Sequence, residues 1–314
     1  MISIIILNYN TAAFTRECLY SIFKYKGDAD TEIIVVDNNS SERSIENLAD
    51  EFDSVRFYFR ITNDGFAGGC NFGANKANGN YLMFLNPDVQ LSNFKLSILT
   101  DYLDNNESAG VVSGLMLDEN KNVLYFYNNF PSLSWEISQL YSPNLQDKIN
   151  FLNSKKEIIE LKNFEVDWFH GAFMMMRKSD FIQAGRFNEN YFMYYEDVEL
   201  CYKFKNILKK KNICVPEFKY FHSTKSSLNN EKNDNIYVFH INRGKLLFIG
   251  NYKKLKRSLI YFTGLSNIIS RIIFLPFWSK YKHHRKEKFN QLLKVLQLYL
   301  DKNYLNKSKF EYIK

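Results

Sequence analysis

The amino-acid sequence predicts an α/β protein in which a mostly parallel sheet with flanking helices is followed by a basic, helical C-terminal appendage. In the first half, short β-branched apolar runs alternate with segments of helical periodicity, and polar turns connect them. The charge is unevenly distributed. Residues 251–314 contain 15 Lys and Arg against 3 Asp and Glu, a net charge of +12, whereas residues 1–250 contain 26 against 31.

The predicted strands of the first half are continuous apolar runs, typical of strands buried on both faces of a parallel sheet. They span residues 2–7, 32–36, 55–59 and 81–85. Helices are predicted at about 14–23 and 41–52, and a glycine-rich turn at 63–69 precedes a third helix that ends near residue 77. Ligands bind at the carboxyl ends of such strands. The polar residues that follow three of them should therefore line one crevice: Asn8, Asn10, Asp37, Asn38, Asn86 and Asp88.

The second half is less regular. A helix is predicted at 93–105, a strand at 110–117, a weakly patterned cover over the site at 121–164 and a buried strand at 166–177. An aromatic loop then leads into a helix at 198–208, and short strands follow at 213–215 and around His222. We expect one domain over 1–235, made of two halves, 1–92 and 93–235, and a helical appendage over 236–314.

The appendage contains a long apolar run, 258–278, that Asn267 and Arg271 interrupt. Basic clusters flank this run on both sides. Such a tail should meet a membrane surface, a nucleic acid or an acidic partner. An arginine inside a spanning helix is costly, so amphipathic helices lying in the interface of an anionic leaflet are the preferred interpretation. The apolar run also fits lipid better than nucleic acid.

Composition and cysteine usage exclude several classes of protein. The hydrophobic fraction of 46% and charged fraction of 24% are those of a globular chain, not of a disordered one. The 4 cysteines are dispersed without a CxxC pair, which favours reduced thiols over a disulfide framework or a zinc site. The N-terminal apolar run lacks a preceding basic segment, so a cytoplasmic location is predicted rather than secretion.

Two acidic residues that follow predicted strands are candidate ligand-binding residues. Asp88, in Leu85-Asn86-Pro87-Asp88, is placed to bind a divalent cation on a nucleotide diphosphate, although a simple Pro-Asp turn is the alternative. Asp37 can contact a base or ribose, while a helix-capping turn would explain the same segment. Gly65, Gly68 and Gly69 form neither a dinucleotide fingerprint nor a P-loop, but they would let the backbone approach a ligand closely.

Adjacent carboxylates at a helix N-terminus are the next candidates. One of Glu196 and Asp197 can face the site as a general base while the other holds the start of the helix. Attraction of both acids to the helix dipole is the alternative. His222 counts as a metal ligand only if it converges with Asp88.

Several ordered motifs together resemble family 2 glycosyltransferases of the GT-A fold, and more narrowly the rhamnosyltransferase-like branch that builds bacterial surface polysaccharides such as O-antigen. The resemblance covers about residues 2–225. The motifs are Ser3–Asn10, Ile34–Ser41, Asn63–Asn71, Leu85–Asp88, Gly171–Met174, Gly185–Glu189 and Phe192–Leu200.

This resemblance implies a Rossmann-like GT-A domain that performs an inverting transfer from a nucleotide-activated sugar. Asp197 matches the catalytic base, and Asp88 with His222 matches the site of Mg²⁺ or Mn²⁺. Glu196, Trp168 and His170 would support the site or contact the acceptor. The implied nucleotide-sugar-binding residues are Asn8, Asn10, Asp37, Asn38, Asn63, Gly65, Gly68, Gly69, Asn71 and Asn86. Asn86 departs from the usual Asp-x-Asp, which removes a negative charge near the metal and should weaken metal binding.

The resemblance also implies the substrates. The expected donor is dTDP-rhamnose, with another donor such as a UDP-hexose as an alternative. The expected acceptor is a saccharide on undecaprenyl diphosphate, at the inner face of the bacterial cytoplasmic membrane, and no nucleic acid is expected as a partner. A protein that binds a nucleotide sugar without catalysis is the remaining alternative.

Overall fold

The structure is a computed structural model and describes residues 1–42, 44–92, 95–141, 158–223, 231–277 and 284–310. The chain divides into two compact units. The sheet unit contains the described residues within 1–130, 158–189 and 196–223. The helical unit contains 131–141, 190–195, 231–277 and 284–310. Residues 131–141 and 190–195 thus group with the C-terminal helices.

A nine-stranded sheet forms the centre of the sheet unit, with the order β3-β2-β1-β4-β10-β6-β11-β5 and β8 paired to β11. A separate two-stranded sheet pairs β7 with β9. The strands are β1 (Ile2–Asn8), β2 (Thr31–Asp37), β3 (Val55–Phe59), β4 (Tyr81–Leu85), β5 (Val89–Leu91), β6 (Ala109–Leu117), β7 (Tyr127–Asn128), β8 (Phe164–Val166), β9 (Trp168–Phe169), β10 (Phe173–Arg177) and β11 (Lys211–His222).

The strands predicted in the first half are confirmed. β3, β2, β1 and β4 are all parallel. The apolar side chains of β1, β2 and β4 are mostly buried, whereas β3 lies at the edge of the sheet and only its Val55 is buried. The register aligns Asn8 of β1 with Asp37 of β2. The second half is mixed, since β10 runs antiparallel to both β4 and β6. All four cysteines are buried and free of disulfides.

The helices of the sheet unit follow the predicted order, with one additional helix at Lys178–Gln183 that was not predicted. They are α1 (Ala12–Tyr25), α2 (Ser44–Glu51), α3 (Gly65–Lys76), α4 (Ser97–Asn105), α6 (Lys178–Gln183) and α7 (Glu196–Asn206). The predicted glycine turn at 63–69 is wrong in one respect, because the helix already begins at Gly65. Glycine suits this helix because α3 lies close to β1. A Cβ at Gly69 would come within 2.2 Å of Leu7 Cδ1, and one at Gly73 within 2.6 Å of Ile5 Cγ2.

Two predictions for the second half need correction. The single strand expected at 166–177 is divided into β8, β9 and β10, because the chain leaves the large sheet after Val166, pairs with β7 in the small sheet, and returns to the large sheet at Phe173. The two short segments expected near 213–215 and 219–223 are instead one strand, β11. Its pairing with β6 shifts register between Cys214 and Lys219, a stretch that contains Pro216, which has no N–H to donate.

The helical unit contains α5 (Leu133–Tyr141), α8 (Glu231–Phe248), α9 (Lys254–Phe274), α10 (Arg285–Leu300) and α11 (Lys302–Lys307). Short 3-10 turns follow α8, α9 and α11, at Ile249–Asn251, Leu275–Phe277 and Ser308–Phe310. Gly244 of α8 leaves space for the loop that contains Tyr194 and Tyr195. A Cβ there would lie 2.8 Å from Tyr195 Cβ and 2.9 Å from Tyr194 O. Both tyrosines have positive φ, 64° and 75°, a conformation that favours glycine and costs other residues free energy.

A buried ion pair connects the helices of this unit. Lys245 Nζ of α8 lies 2.6 Å from Glu136 Oε1 of α5, and both side chains are less than a tenth exposed. Asn267 of α9 donates from Nδ2 to the Glu136 carbonyl at 3.1 Å. The Lys245 ammonium also lies over the rings of Trp135 and Tyr299, at 5.6 and 5.9 Å from their centroids. Removal of one partner would leave a buried charge without its counter-ion.

We therefore expect Lys245→Met to lower the free energy of unfolding by about 3–5 kcal/mol, because Glu136 would remain buried and uncompensated. Urea denaturation measured by circular dichroism tests this expectation. The matched control is Lys245→Met combined with Glu136→Leu, which should regain most of the loss because it removes both charges. A single variant as stable as the wild type would contradict the role of the pair.

Candidate active site

The carboxyl ends of β1 and β2 hold a network of polar groups around Asp37. Asn8 Nδ2 donates to Asp37 Oδ1 at 2.8 Å, and Ser40 Oγ donates to the same oxygen at 2.6 Å. The Ser40 backbone N–H donates to Asp37 Oδ2 at 3.0 Å. Thr11 and Thr15 occupy the other end of the Asn8 amide by donating to Oδ1. The parallel register thus brings Asn8 and Asp37 together, and their contacts fix the orientation of the carboxylate.

Asn10 completes the turn above this network. Its φ of 53° is in the left-handed region, which Asn tolerates better than most residues. Its backbone N–H donates to Ser40 Oγ at 2.8 Å, and its Oδ1 accepts from Ser41 N at 2.8 Å. Asn10 therefore acts in the structure as a support for the segment that carries Asp37.

Asn38 and Asn63 form a second network beside the first. Asn38 Nδ2 donates to Asn63 Oδ1 at 2.8 Å and to the Gly65 carbonyl at 3.1 Å. Arg60 Nη1 donates to Asn38 Oδ1 at 3.2 Å. Gly65 has φ of +83°, so it takes a conformation that side chains rarely adopt at the start of α3. The sequence interpretation missed Arg60, although it directly follows the end of β3, as the predicted residues follow their strands.

Gly68, Gly69 and Asn71 have structural partners of their own. A Cβ at Gly68 would lie 2.8 Å from Asp64 Cβ, and Gly69 packs on Leu7 as described above. Asn71 Nδ2 donates to the Phe187 carbonyl and to Glu189 Oε1, both at 2.9 Å. These contacts give a packing reason for each residue, and their contact with a ligand stays a prediction.

Asp88 and His222 converge, which was the condition for counting His222 as a ligand. β5 pairs with β11 so that Val89 lies opposite His222, and His222 Nε2 is 3.4 Å from Asp88 Oδ1. The Ser223 N–H donates to the Asp88 carbonyl at 3.0 Å. Both side chains are partly exposed. Two ligands at right angles on one Mg²⁺ or Mn²⁺ lie about 3 Å apart, so this oxygen and nitrogen fit a single cation.

Asn86 connects this motif to the predicted base. Its backbone N–H donates to the Ala172 carbonyl at 2.9 Å, at the start of β10. The neighbouring Gly171 N–H donates to Asp197 Oδ2 at 2.8 Å. Because β10 is antiparallel to β4, its beginning meets the carboxyl end of β4. The structure therefore brings the Asp88 motif and Asp197 to neighbouring positions at the same edge of the sheet.

Two backbone N–H groups hold the Asp197 carboxylate. Besides Gly171, the Val198 N–H donates to Asp197 Oδ1 at 2.8 Å, and the side chain is 9% exposed. Two backbone N–H donors favour the charged form of a carboxylate. The sequence interpretation did not identify the Gly171 N–H as a partner of Asp197. Almost every residue has a backbone N–H, so the residue type does not indicate which of them donates.

Glu196 differs from its neighbour. It is 5% exposed, and its Oε2 has no hydrogen-bond partner in the part of the chain that the structure describes. Burial raises the pKa of Glu196 well above its ordinary value, and the charge of Asp197 raises it further. Of the two acids, Glu196 therefore holds the proton.

Trp168 and His170 form an aromatic pair on β9 and the following turn. Their rings are stacked, with centroids 5.3 Å apart and planes 15° from parallel. Trp168 Nε1 donates to the Asn129 carbonyl at 3.0 Å. His170 reaches solvent at one edge, but the protein surrounding the ring lowers its pKa to about 4, with a contribution from nearby His222. This flat, neutral surface suits contact with a sugar ring.

The comparisons with known proteins agree with the resemblance. Residues 3–185 match the sequence model of the family described as Glycosyl transferase family 2. Rhamnosyltransferase WbbL of Escherichia coli K12 is 35% identical over 126 residues, which are 40% of this chain and 46% of that protein. The chain thus spans about half the length of this relative.

Two further comparisons cover more of the chain. The GalNAc(5)-diNAcBac-PP-undecaprenol beta-1,3-glucosyltransferase of Campylobacter jejuni is 26% identical over 78% of this chain and 74% of that protein. The crystal structure of GalNAc-T7 with UDP, GalNAc and Mn²⁺ has a TM-score of 0.63 at 13% identity, covering 96% of this chain and 56% of that one. At that identity the likeness shows the fold, and it confirms the predicted GT-A-like α/β class.

Glu196→Gln tests the protonation of the buried acid, because glutamine resembles the protonated form. A raised folded-state pKa means that the folded state holds the proton more tightly than the unfolded state, so the wild type loses stability as the pH rises above about 4.5. We expect the variant to lack this loss. Urea denaturation of both proteins at about pH 5 and about pH 8 measures it. An equal pH dependence in both would contradict the assignment.

Proposed function

Because this chain belongs to glycosyl transferase family 2, we propose that it is an inverting transferase that moves rhamnose from dTDP-rhamnose to a saccharide on undecaprenyl diphosphate. The observation that carries the proposal is the pair of hydrogen bonds Asn86 N–Ala172 O and Gly171 N–Asp197 Oδ2. Through them, a candidate metal site for a diphosphate and an ionised carboxylate occupy neighbouring positions at the edge where Asp37 is also displayed.

The donor would bind along the carboxyl ends of β1, β2 and β4. Asp37, oriented by Asn8 and Ser40, would accept a hydrogen bond from the base or ribose, and Asn38 with Asn63 would border it. Asp88 and His222 would hold a divalent cation on the diphosphate. When bound, that cation would offset the negative charge that develops on the leaving diphosphate. With two protein ligands, the remaining positions would be left to phosphate oxygens and water.

Asp197 would act as the general base. An acceptor hydroxyl attacks the anomeric carbon from the face opposite the diphosphate. As the new C–O bond forms and the bond to the diphosphate breaks, Asp197 takes the hydroxyl proton. Attack from the opposite face inverts the anomeric configuration. The Gly171 and Val198 N–H groups hold the carboxylate in its charged, proton-accepting form.

Rhamnose is the proposed sugar because WbbL carries that activity in its name. A glucose donor is the second candidate, favoured by the Campylobacter jejuni glucosyltransferase, whose match covers more of this chain. The name of the same relative supports an acceptor on undecaprenyl diphosphate. Such an acceptor would place the enzyme at the inner face of the cytoplasmic membrane, as a peripheral protein of surface-polysaccharide synthesis. Trp168 and His170 would form the platform for the acceptor sugar.

Asp197→Asn is expected to lower kcat by about 10²–10⁴-fold, since the amide cannot take the proton, while the affinity for the donor nucleotide stays unchanged. Transfer of radiolabelled sugar from dTDP-rhamnose and from UDP-glucose to a lipid-linked acceptor measures the first quantity. Calorimetry with the nucleotide measures the second. Full transfer activity in this variant would overturn the assignment of the base.

Asp88→Ala is expected to weaken Mn²⁺-dependent binding of the donor nucleotide at least about tenfold, because one of two protein ligands is lost. His222→Ala should have the same sign of effect. Asp28→Asn is the matched control, because Asp28 is exposed and precedes β2, at the opposite edge of the sheet. Calorimetry with and without Mn²⁺ gives the affinities, and unchanged metal dependence in both site variants would refute the metal assignment.

A further inference from the structure

Helix α9 has two chemically different faces. Ile260, Gly264, Asn267 and Ile268 are buried within the helical unit. On the opposite side lies a row of exposed apolar side chains, the α9 stripe, which consists of Leu255, Leu259, Phe262, Ile269 and Ile273. The members are separated by 4, 3, 7 and 4 residues, so they stay on one side of a helix with 3.6 residues per turn.

The buried face argues against α9 as a membrane-spanning helix. Residues Lys254–Phe277 are long and apolar enough to cross a membrane by length and composition alone. A spanning helix would have lipid around most of its circumference. Here Asn267 Nδ2 donates to the carbonyl of Glu136, and Tyr261 Oη donates to the carbonyl of Tyr299. These contacts commit one side of α9 to the helical unit, and the stripe lies on the opposite side.

The exposure of the stripe is large for side chains of this type. Leu255 is 74% exposed, Phe262 62% and Ile273 59%. From Leu255 to Ile273 the row is about 27 Å long. Single exposed apolar residues are common on protein surfaces, but a row of this length, with Ser266 as a polar gap between Phe262 and Ile269, indicates an interaction surface.

The charges around the stripe indicate what covers it. Lys253, Lys254, Lys256 and Arg257 are exposed at the start of α9. The sequence contains no Asp or Glu from residue 235 to residue 286. A second copy of this helix would therefore offer the basic cluster no counter-charge, whether the two helices packed parallel or antiparallel. A nucleic acid would satisfy the charges but not the apolar row. An anionic lipid surface provides both an apolar layer and negative head groups.

We propose that α9 lies in the plane of an anionic membrane surface, with the α9 stripe inserted below the head groups and the basic cluster among them. This inference deepens the proposed function, because it identifies the part of the chain that would bring the enzyme to a lipid-linked acceptor. The helix would enter the interface without spanning it, since its other face stays packed on the helical unit.

Co-sedimentation with phosphatidylglycerol vesicles and with phosphatidylcholine vesicles tests the proposal without using any substrate. We expect binding to the anionic vesicles that decreases as salt is added. The double variant Phe262→Glu/Ile269→Glu should lose about tenfold or more in affinity, because two charges would enter the apolar layer. Ile61→Glu is the matched control, since Ile61 is 92% exposed on the sheet unit and should leave binding unchanged.

A second variant separates loss of binding from loss of folding. Ser266 lies between Phe262 and Ile269 on the same side of α9 and is exposed, so Ser266→Leu fills the polar gap in the stripe. It should increase the affinity for anionic vesicles, which a misfolded protein would not do. Wild-type binding by the double variant, or a dimer that dissociates in this variant without vesicle binding by the wild type, would overturn the proposal. Vesicle binding without sugar transfer would count against the proposed function alone.

Discussion

The antiparallel entry of β10 beside β4 is the constraint on which the site depends. In an all-parallel sheet, the neighbour of β4 would also end at the carboxyl edge, and its start would lie at the opposite side. Here the start of β10 meets the end of β4, and two backbone groups there reach Asn86 and Asp197. The metal motif is thus held by a main-chain hydrogen bond, and the base is held by a main-chain N–H that donates to its carboxylate.

The polar groups at this edge of the sheet orient one another through hydrogen bonds. Asp37 is 5% exposed and is held by a side-chain amide, a hydroxyl and a backbone N–H. Such an arrangement keeps an acid oriented before any ligand arrives, which lowers the entropy lost on binding. Glu196 and Asp197 illustrate the opposite outcome of burial. Asp197 accepts hydrogen bonds from two backbone N–H groups, whereas burial without a partner for Oε2 among the described residues raises the pKa of Glu196.

The parallel half of the fold could be predicted from the sequence because each strand is a continuous apolar run that ends in polar residues. That pattern also identified Asn8, Asp37 and Asp88. It could not show which side-chain partners these residues have, nor that Gly69 packs closely on Leu7. The division of the segment at 166–177 was missed because most of its residues are apolar, and Asp167 and His170 alone did not indicate that the chain changes sheets there. The convergence of Asp88 with His222 depends on a strand pairing across more than a hundred residues, which local patterns do not contain.

The stripe on α9 has a consequence for how the proposed enzyme would meet its acceptor. A protein held at a lipid surface searches in two dimensions, and both partners are confined to a layer a few nanometres thick. The effective concentration of a membrane-bound acceptor then exceeds its average concentration in the cell, without any added contact in the active site. A weak acceptor subsite would suffice under these conditions, and release of the lengthened product would be correspondingly fast.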